Sequence, residues 1–168
     1  MYEHYIFSPC RMSWIKSSQG KNKKNAGCVF CKIAKGDSRI PQKVLYKSRG
    51  LMVLMNVFPY NTGHLQVMPA RHAERLEDLS DGEISSLFIM VKKCVRLLKK
   101  IVKPDGFNIG INLGGDAGGA SVSHLHIHIV PRFHRDLGFM ESIADTKVLP
   151  STLNQTYKEL KKAVKMLE

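Results

Sequence analysis

The chain has 168 residues, of which 43% are hydrophobic and 24% are charged, a balance typical of one soluble globular domain. It excludes a disordered, a collagen-like or a disulfide-scaffold chain. No run reaches the roughly 18 consecutive apolar residues of a membrane-spanning helix, and no secretory signal is visible. We therefore expect a cytoplasmic protein without a membrane partner, made of a basic N-terminal arm over residues 1–25 and a single domain over residues 26–168.

The net charge of +12 is distributed unevenly along the chain. Residues 1–50 contain eleven Lys and Arg against the two acidic residues Glu3 and Asp37, whereas the rest of the chain contains 15 against 12. A basic N-terminal third indicates attraction to phosphate groups, in nucleotides or in nucleic acid. A solvated, lysine-rich surface explains the same charge.

The first half of the chain predicts three strands and a long helix. Aliphatic runs bounded by turn residues indicate strands over residues 43–46, 51–55 and 64–68. Ser80 and Glu83 then have the spacing of a capping box, and apolar residues follow at three- and four-residue spacing. Pro104 ends the predicted helix.

The second half predicts two more strands and a second helix. The strands cover residues 107–113 and 124–130, and a glycine loop over residues 114–120 separates them. The last helix follows Pro150, with Ser151 as its N-cap. Strands with short connections and two helices predict an α+β fold around an antiparallel sheet.

Histidine alternates with aliphatic residues in the run HLHIHIV at 124–130. On a strand, this period of two places His124, His126 and His128 on one face and the aliphatic side chains in the core. On a helix the same histidines would be scattered around the axis. Three histidines on one strand face, directly after a glycine loop, indicate a site rather than chance.

The four cysteines are too few for a disulfide framework. Cys94 falls near the apolar stripe of the long helix and is predicted to be buried as a small hydrophobic residue. Cys28 and Cys31 have the C-x-x-C spacing, which is typical of metal binding or redox chemistry.

The run HLHIHIV resembles the His-φ-His-φ-His-φ-φ signature of the histidine triad (HIT) nucleotide hydrolases and transferases. Three other runs resemble segments of that family in the same order: CVFCKI at 28–33, NVFPYNTGHLQVMPARH at 56–72 and FNIGIN at 107–112. The resemblance covers residues 26–140 and points to the diadenosine polyphosphate phosphorylases and hydrolases. It implies a HIT-like fold with an antiparallel five-stranded sheet and two helices, which dimerisation extends.

The resemblance implies catalytic roles for His124, His126, His128 and Ser121. His126 corresponds to the nucleophile that attacks the α-phosphorus and forms a nucleotidyl-imidazole, a role that suits a neutral imidazole near pH 7. His128 and His64 match positions that contact phosphate oxygens. Ser121 matches a hydroxyl that binds the bridging or leaving oxygen.

Further positions match residues that bind the nucleotide. Asn56 corresponds to the residue that binds the ribose hydroxyls, and Asn112 to one near the phosphates. Gly118 and Gly119 belong to the glycine loop, whose backbone can approach phosphate oxygens closely because it has no Cβ atoms. The implied nucleotide-binding set is completed by His64, Ser121 and His128.

The resemblance also implies a metal site formed by Cys28, Cys31, His72 and His124. Two thiolates and two imidazoles suit tetrahedral zinc, and a site filled by four protein ligands is structural. One zinc per chain and no organic cofactor are therefore expected.

The leading hypothesis is an enzyme that cleaves dinucleoside polyphosphates, by phosphorolysis or by hydrolysis. A purine nucleoside phosphoramidase, acting on adenosine 5'-monophosphoramidate, is an alternative within the same chemistry. A basic, zinc-containing nucleic-acid-binding module is an alternative of a different class. A homodimer is expected because Ile89 and Ile101 widen the apolar stripe of the long helix beyond what a small sheet covers.

Overall fold

The computed structural model describes residues 27–114, 124–134, 136 and 148–168. It contains five strands: Val44–Lys47 (β1), Leu51–Met55 (β2), Leu65–Pro69 (β3), Gly106–Ile111 (β4) and Ile127–Arg132 (β5). They form one antiparallel sheet in the order β1-β2-β3-β5-β4. The predicted α+β fold with five antiparallel strands is confirmed.

The strand that follows the glycine loop begins later than the sequence predicts, at Ile127 rather than at His124. Leu125 leaves the sheet ladder and donates its main-chain N–H to the carbonyl oxygen of Ala73 at 2.7 Å. The alternation of side chains nevertheless continues across this boundary, since Leu125, Ile127 and Ile129 are all buried in the same core.

A short helix, α1, spans Val29–Ala34 and covers one face of the sheet. The sequence pattern does not predict this helix, because six residues are too few to show an apolar period. The described residues therefore contain three α-helices, where the sequence predicted two. α1 packs Phe30 and Ile33 against the sheet residues Met52, Leu54 and Met68.

The long helix α2 spans Asp81–Ile101 and covers the opposite face. Ser80 accepts the N–H of Glu83, and the Glu83 carboxylate accepts the N–H of Ser80, so the predicted capping box is confirmed. Cys94 is buried on this helix, as predicted. Together, α1 and α2 bury β2 and β3 on both faces, which makes the centre of the sheet a rigid platform.

The chain enters β3 through Gly63, which has a φ of +80°. A Cβ atom at this position would lie 3.2 Å from Cδ2 of Leu98 on α2. Glycine combines the left-handed backbone with this close approach at low steric cost. The turn fixes the direction in which the next residue, His64, enters the sheet.

The last helix, α3, spans Leu153–Lys162 and is followed by a 3-10 turn over Val164–Leu167. Its N-cap is Thr152 rather than the predicted Ser151, because the Thr152 hydroxyl oxygen accepts the N–H of Gln155 at 3.3 Å. The Tyr157 hydroxyl donates to the carbonyl oxygen of Val44, which places α3 beside β1.

Each helix among the described residues is too short or too polar to cross a lipid bilayer. The basic arm predicted over residues 1–25 lies outside the described residues, and its boundary with the domain remains a prediction.

Candidate functional site

His126 lies directly before β5 with its ring held by the main chain. Its Nδ1 lies 2.7 Å from the carbonyl oxygen of His124. A carbonyl oxygen only accepts, so Nδ1 carries the proton, and the free electron pair is on Nε2. Burial lowers the pKa of His126, against the opposing effect of this hydrogen bond, so the ring is neutral near pH 7. A neutral imidazole with a free Nε2 is a nucleophile.

His64 directly precedes β3 and is fully buried. Its ring lies beside that of His128, one of the triad of His124, His126 and His128. The main-chain N–H of Tyr60 donates to its Nδ1 at 3.1 Å, so the ring proton is on Nε2. That Nε2 lies 2.9 Å from Nδ1 of His128, which must accept this proton. Burial, followed by the charges of His128 and His126, lowers the pKa of His64 to about 3.

This geometry corrects the expectation that His64 contacts phosphate oxygens. Both of its ring nitrogens are engaged, and none of its surface is exposed. Its Nε2–H is directed at Nδ1 of His128, whose ring it orients.

His128 accepts at Nδ1 and therefore carries its proton on Nε2. The carboxamide nitrogen of Asn112 lies 3.4 Å from this Nε2. Because both atoms are donors, they are positioned to share an acceptor such as a phosphate oxygen. Burial, followed by the charge of His126, lowers the pKa of His128 to about 4, which keeps its ring neutral near pH 7.

Asn56 stands at the end of β2, beside His64. Its carboxamide nitrogen lies 3.2 Å from Nδ1 of His64, and its carboxamide oxygen accepts the N–H of Phe58 at 3.0 Å. A primary amide has a second N–H and a second oxygen lone pair, which remain for a diol such as ribose.

Cys28, Cys31, His72 and His124 are brought together, with one ligand atom of each within 4.8 Å of all the others. Cys28 is the N-cap of α1, and its sulfur accepts the N–H of Cys31 at 3.4 Å. The first turn of a helix therefore directs both sulfurs to the same place. The predicted ligand residues thus form a cluster whose chemistry fits a tetrahedral metal ion.

The two histidines of this cluster are oriented by other groups. Nε2 of His124 lies 3.0 Å from the carbonyl oxygen of Pro69, so Nδ1 is free and faces Cys28 Sγ at 3.3 Å. Nε2 of His72 lies 3.1 Å from the Glu74 carboxylate, and its Nδ1 lies 3.4 Å from Cys31 Sγ. Such partners on the second ring nitrogen are typical of histidine ligands in metal sites.

Two aromatic residues of the site were missed by the sequence analysis. Phe30 packs edge-on against the rings of His124 and His126, with centroids 5.6 Å and 5.4 Å away. Tyr60 stacks on His64, with centroids 5.0 Å apart. The position of Phe30 between the two cysteines of the C-x-x-C pair is a signal in the sequence that could have identified it. Tyr60 belongs to no motif whose spacing would have identified it.

Three of the predicted site residues, Ser121, Gly118 and Gly119, lie outside the described residues.

Comparison with known proteins finds similarity to one family in both sequence and structure. The HIT domain family matches residues 37–135. An AP-4-A phosphorylase of Mycobacterium tuberculosis is 38% identical over 157 residues, 90% of this chain and 79% of that protein. An adenosine 5'-monophosphoramidase of Schizosaccharomyces pombe is 29% identical over 138 residues, 82% of this chain and 98% of that protein. A Zn-bound histidine triad family protein of Mycobacterium smegmatis superposes with a TM-score of 0.68 at 27% identity, covering 87% of this chain and 97% of the other.

Proposed function

The chain belongs to the HIT domain family, and we propose that this enzyme cleaves dinucleoside polyphosphates, such as diadenosine tetraphosphate, at the α-phosphate. The observation that carries the proposal is the 2.7 Å hydrogen bond between His126 Nδ1 and the carbonyl oxygen of His124. It leaves Nε2 of His126 as a nucleophile beside the ring of His128, 4.6 Å away between centroids. The relative named AP-4-A phosphorylase supports the substrate class.

The reaction has two displacement steps at phosphorus. Nε2 of His126 forms a bond to the α-phosphorus, and the bond from that phosphorus to the bridging oxygen breaks, releasing the remaining nucleotide. An oxygen of water or of inorganic phosphate then attacks the same phosphorus, and the phosphorus–nitrogen bond breaks. Water yields a nucleoside monophosphate and phosphate yields a nucleoside diphosphate, and His126 is regenerated in both cases.

We assign the other described residues to binding. The Nε2–H of His128 and the amide of Asn112 donate to oxygens of the α-phosphate, where negative charge increases in the transition state. The second N–H and the second lone pair of Asn56 bind the ribose hydroxyls. The resemblance further assigns Ser121 to the leaving oxygen and Gly118 and Gly119 to the phosphates, and these three assignments remain predictions.

We propose that the cluster of Cys28, Cys31, His72 and His124 holds one structural zinc ion. The donor set fits zinc, because two sulfurs and two imidazole nitrogens complete a tetrahedron with no position left for a substrate. A metal ion at this place would join the start of α1, the segment after β3 and the segment before β5. It would thus hold the main chain that carries His126.

We also propose that two copies of the chain pair at β4. This strand is the last in the sheet order, so one of its edges has no partner strand among the described residues. Ile109 on β4 is 44% exposed, and Phe88 and Ile89 on α2 are about half exposed. An open edge with apolar side chains is unfavourable in water, and a two-fold contact would bury it.

A reducing compartment such as the cytoplasm is proposed for the protein. Cys28, Cys31 and Cys94, the cysteines among the described residues, form no disulfide bond. Unpaired cysteines are the rule where thiols are kept reduced.

A second candidate function is phosphoramidase activity, favoured by the relative named adenosine 5'-monophosphoramidase. The same His126 attack would then break a phosphorus–nitrogen bond and release ammonia. Described features of the triad suit both reactions, because both have the same nucleotidyl-histidine intermediate.

Product analysis distinguishes these functions. Diadenosine tetraphosphate should give ATP and ADP if phosphate is the acceptor, and ATP and AMP if water is the acceptor. The assay is run with and without inorganic phosphate, and in parallel with adenosine 5'-phosphoramidate. Failure of the purified protein to turn over diadenosine tetraphosphate under either condition would contradict the leading proposal.

A further inference from the structure

We propose that Asp136 is a positioning residue for the triad. By anchoring the loop over residues 56–64, it holds His64 in the orientation that sets the tautomer of His128. The inference rests on the proposed function, in which His128 donates its Nε2–H to a phosphate oxygen. Asp136 acts through the side chain of Asn61, whose amide nitrogen donates to Oδ2 of Asp136 at 3.0 Å.

The orientation of His64 depends on the main chain of this loop. Its Nδ1 accepts the N–H of Tyr60 at 3.1 Å, and its main-chain N–H donates to the carbonyl oxygen of Asn61 at 3.1 Å. If the loop shifted, the ring could turn or change its tautomer. Nε2 of His64 would then no longer be fixed as the donor to His128, and the proton on His128 Nε2 would no longer be specified.

The loop is anchored to the end of β5 through the side chain of Asn61. This side chain is only 2% exposed. Its amide nitrogen donates to the carbonyl oxygen of Pro131 and to Oδ2 of Asp136, both at 3.0 Å, and its oxygen accepts the N–H of Thr62 at 3.0 Å. A buried amide with these partners holds the loop in one position, since each lost bond would leave a desolvated polar group.

Asp136 is in turn held by the sheet. Its side chain is 10% exposed and forms a bidentate ion pair with Arg132, at 2.7 Å to Nε and 2.9 Å to Nη2. Nη1 of Arg132 donates to the side-chain oxygen of Asn108 on β4 at 2.7 Å. β4 and β5 are thus connected to the loop by one continuous chain of hydrogen bonds, from Asn108 through Arg132, Asp136 and Asn61 to His64.

The connection has a consequence for the geometry of the site. β5 carries His128, Asn112 directly follows β4, and the loop carries Asn56 and His64. Asp136 therefore fixes the position of the loop, which carries His64, relative to β4 and β5, which hold Asn112 and His128. This position decides whether His64 can donate to Nδ1 of His128. A small shift here should reduce turnover much more than substrate binding, because a misplacement of about 1 Å can cost roughly 100-fold in rate.

The test uses the full chain carrying Asp136→Ala, Asp136→Asn and the control Asp105→Asn. Asp105 is an exposed residue of the same region whose carboxylate accepts the N–H of His134, outside the hydrogen bonds that join Arg132, Asp136 and Asn61. The primary readout is the ¹⁵N chemical shift of the ring nitrogens of His64 and His128, which reports where the protons reside. It is independent of whether the protein turns over diadenosine tetraphosphate.

We expect Asp136→Ala to give averaged or exchanged ring-nitrogen signals, with kcat lowered about 10- to 100-fold and KM changed less than threefold. Asp136→Asn keeps an oxygen for Asn61 but loses the charge that binds Arg132, so its effect should be smaller. Asp105→Asn should match the wild type in both readouts. If Asp136→Ala does not fold, Asp136→Asn and Arg132→Lys take its place.

Unchanged ring-nitrogen signals of His64 and His128 in a folded Asp136 variant would overturn the positioning role, whatever the activity. Altered signals in a protein that does not cleave dinucleoside polyphosphates would support the positioning role and contradict the proposed function. The two hypotheses are thereby tested separately.

Discussion

The carbonyl oxygen of His124 accepts the Nδ1–H of His126 at 2.7 Å, while the ring of His124 belongs to the cluster of cysteine and histidine side chains that we propose as a zinc site. One residue therefore connects the candidate metal site to the candidate nucleophile. A metal ion would fix the side chain of His124, and the following strand, β5, fixes its main chain. The hydrogen bond that sets the tautomer of His126 therefore depends on the position of His124.

Loss of the metal should therefore reduce both stability and turnover. Cys28→Ser is expected to contain less than one zinc per chain by elemental analysis, to melt at a lower temperature and to turn over diadenosine tetraphosphate at least about 10-fold more slowly. A chelator should have the same effects on the wild type, and added zinc should reverse them. A zinc-free wild type with an unchanged melting temperature would argue against a structural metal.

Replacing the nucleophile should abolish chemistry while preserving binding. We expect His126→Gly to lower kcat by about three orders of magnitude or more and to leave nucleotide affinity nearly unchanged. Denaturing trapping at alkaline pH, which spares the phosphorus–nitrogen bond, should give nucleotidylated wild type and none in the variant. The control is His134→Ala, which removes an exposed histidine outside the site. Turnover by His126→Gly at a tenth of the wild-type rate would disprove the assignment.

The buried histidines should make stability depend on pH. Burial, followed by nearby histidine charges, lowers the pKa of His64 to about 3 and of His128 to about 4, whereas an unfolded chain has about 6.5. Between these values the unfolded chain binds more protons, so the free energy of unfolding decreases as the pH falls below about 6.5. The slope is at most about 1.4 kcal/mol per pH unit for each histidine.

Chemical denaturation at pH 7, 6 and 5 measures this slope. His64→Gln, which keeps a polar side chain but removes the titrating group, should have a shallower slope than the wild type. A slope for His64→Gln as steep as that of the wild type would show that His64 does not titrate in this way.

A dimer that pairs at β4 should be broken by a charge on that strand. The wild type is expected to have about twice the chain mass of 18.9 kDa in light scattering at micromolar concentration. Ile109→Asp should shift the mass toward that of one chain, because it places a charge at an apolar contact. Leu149→Asp substitutes an exposed apolar residue shortly before α3, a helix that lies beside β1 at the other end of the sheet order, and should leave the mass unchanged. A wild type of one chain mass with full activity would exclude the dimer as a requirement.

Much of the fold could be predicted from short stretches of sequence. The capping box at Ser80 and Glu83 and the apolar stripe that follows are local signals, and α2 begins where they indicate. The helix α1 could not be predicted in this way, since its single turn and a half is stabilised by Phe30 and Ile33 packing on the far side of the sheet. The later start of β5 likewise depends on a contact with Ala73, about fifty residues earlier in the chain.

By itself, the sequence determined that three histidines alternate with aliphatic residues and that two cysteines have the C-x-x-C spacing, because each pattern lies within a few consecutive residues. It also determined the family, through motifs in a characteristic order. Only the tertiary structure decided which group each histidine ring contacts. His124 meets Cys28 across 96 positions and His64 meets His128 across 64, so the tautomers arise from contacts that local spacing does not encode. For that reason His64, expected at the phosphate, proved to be the buried residue that orients His128.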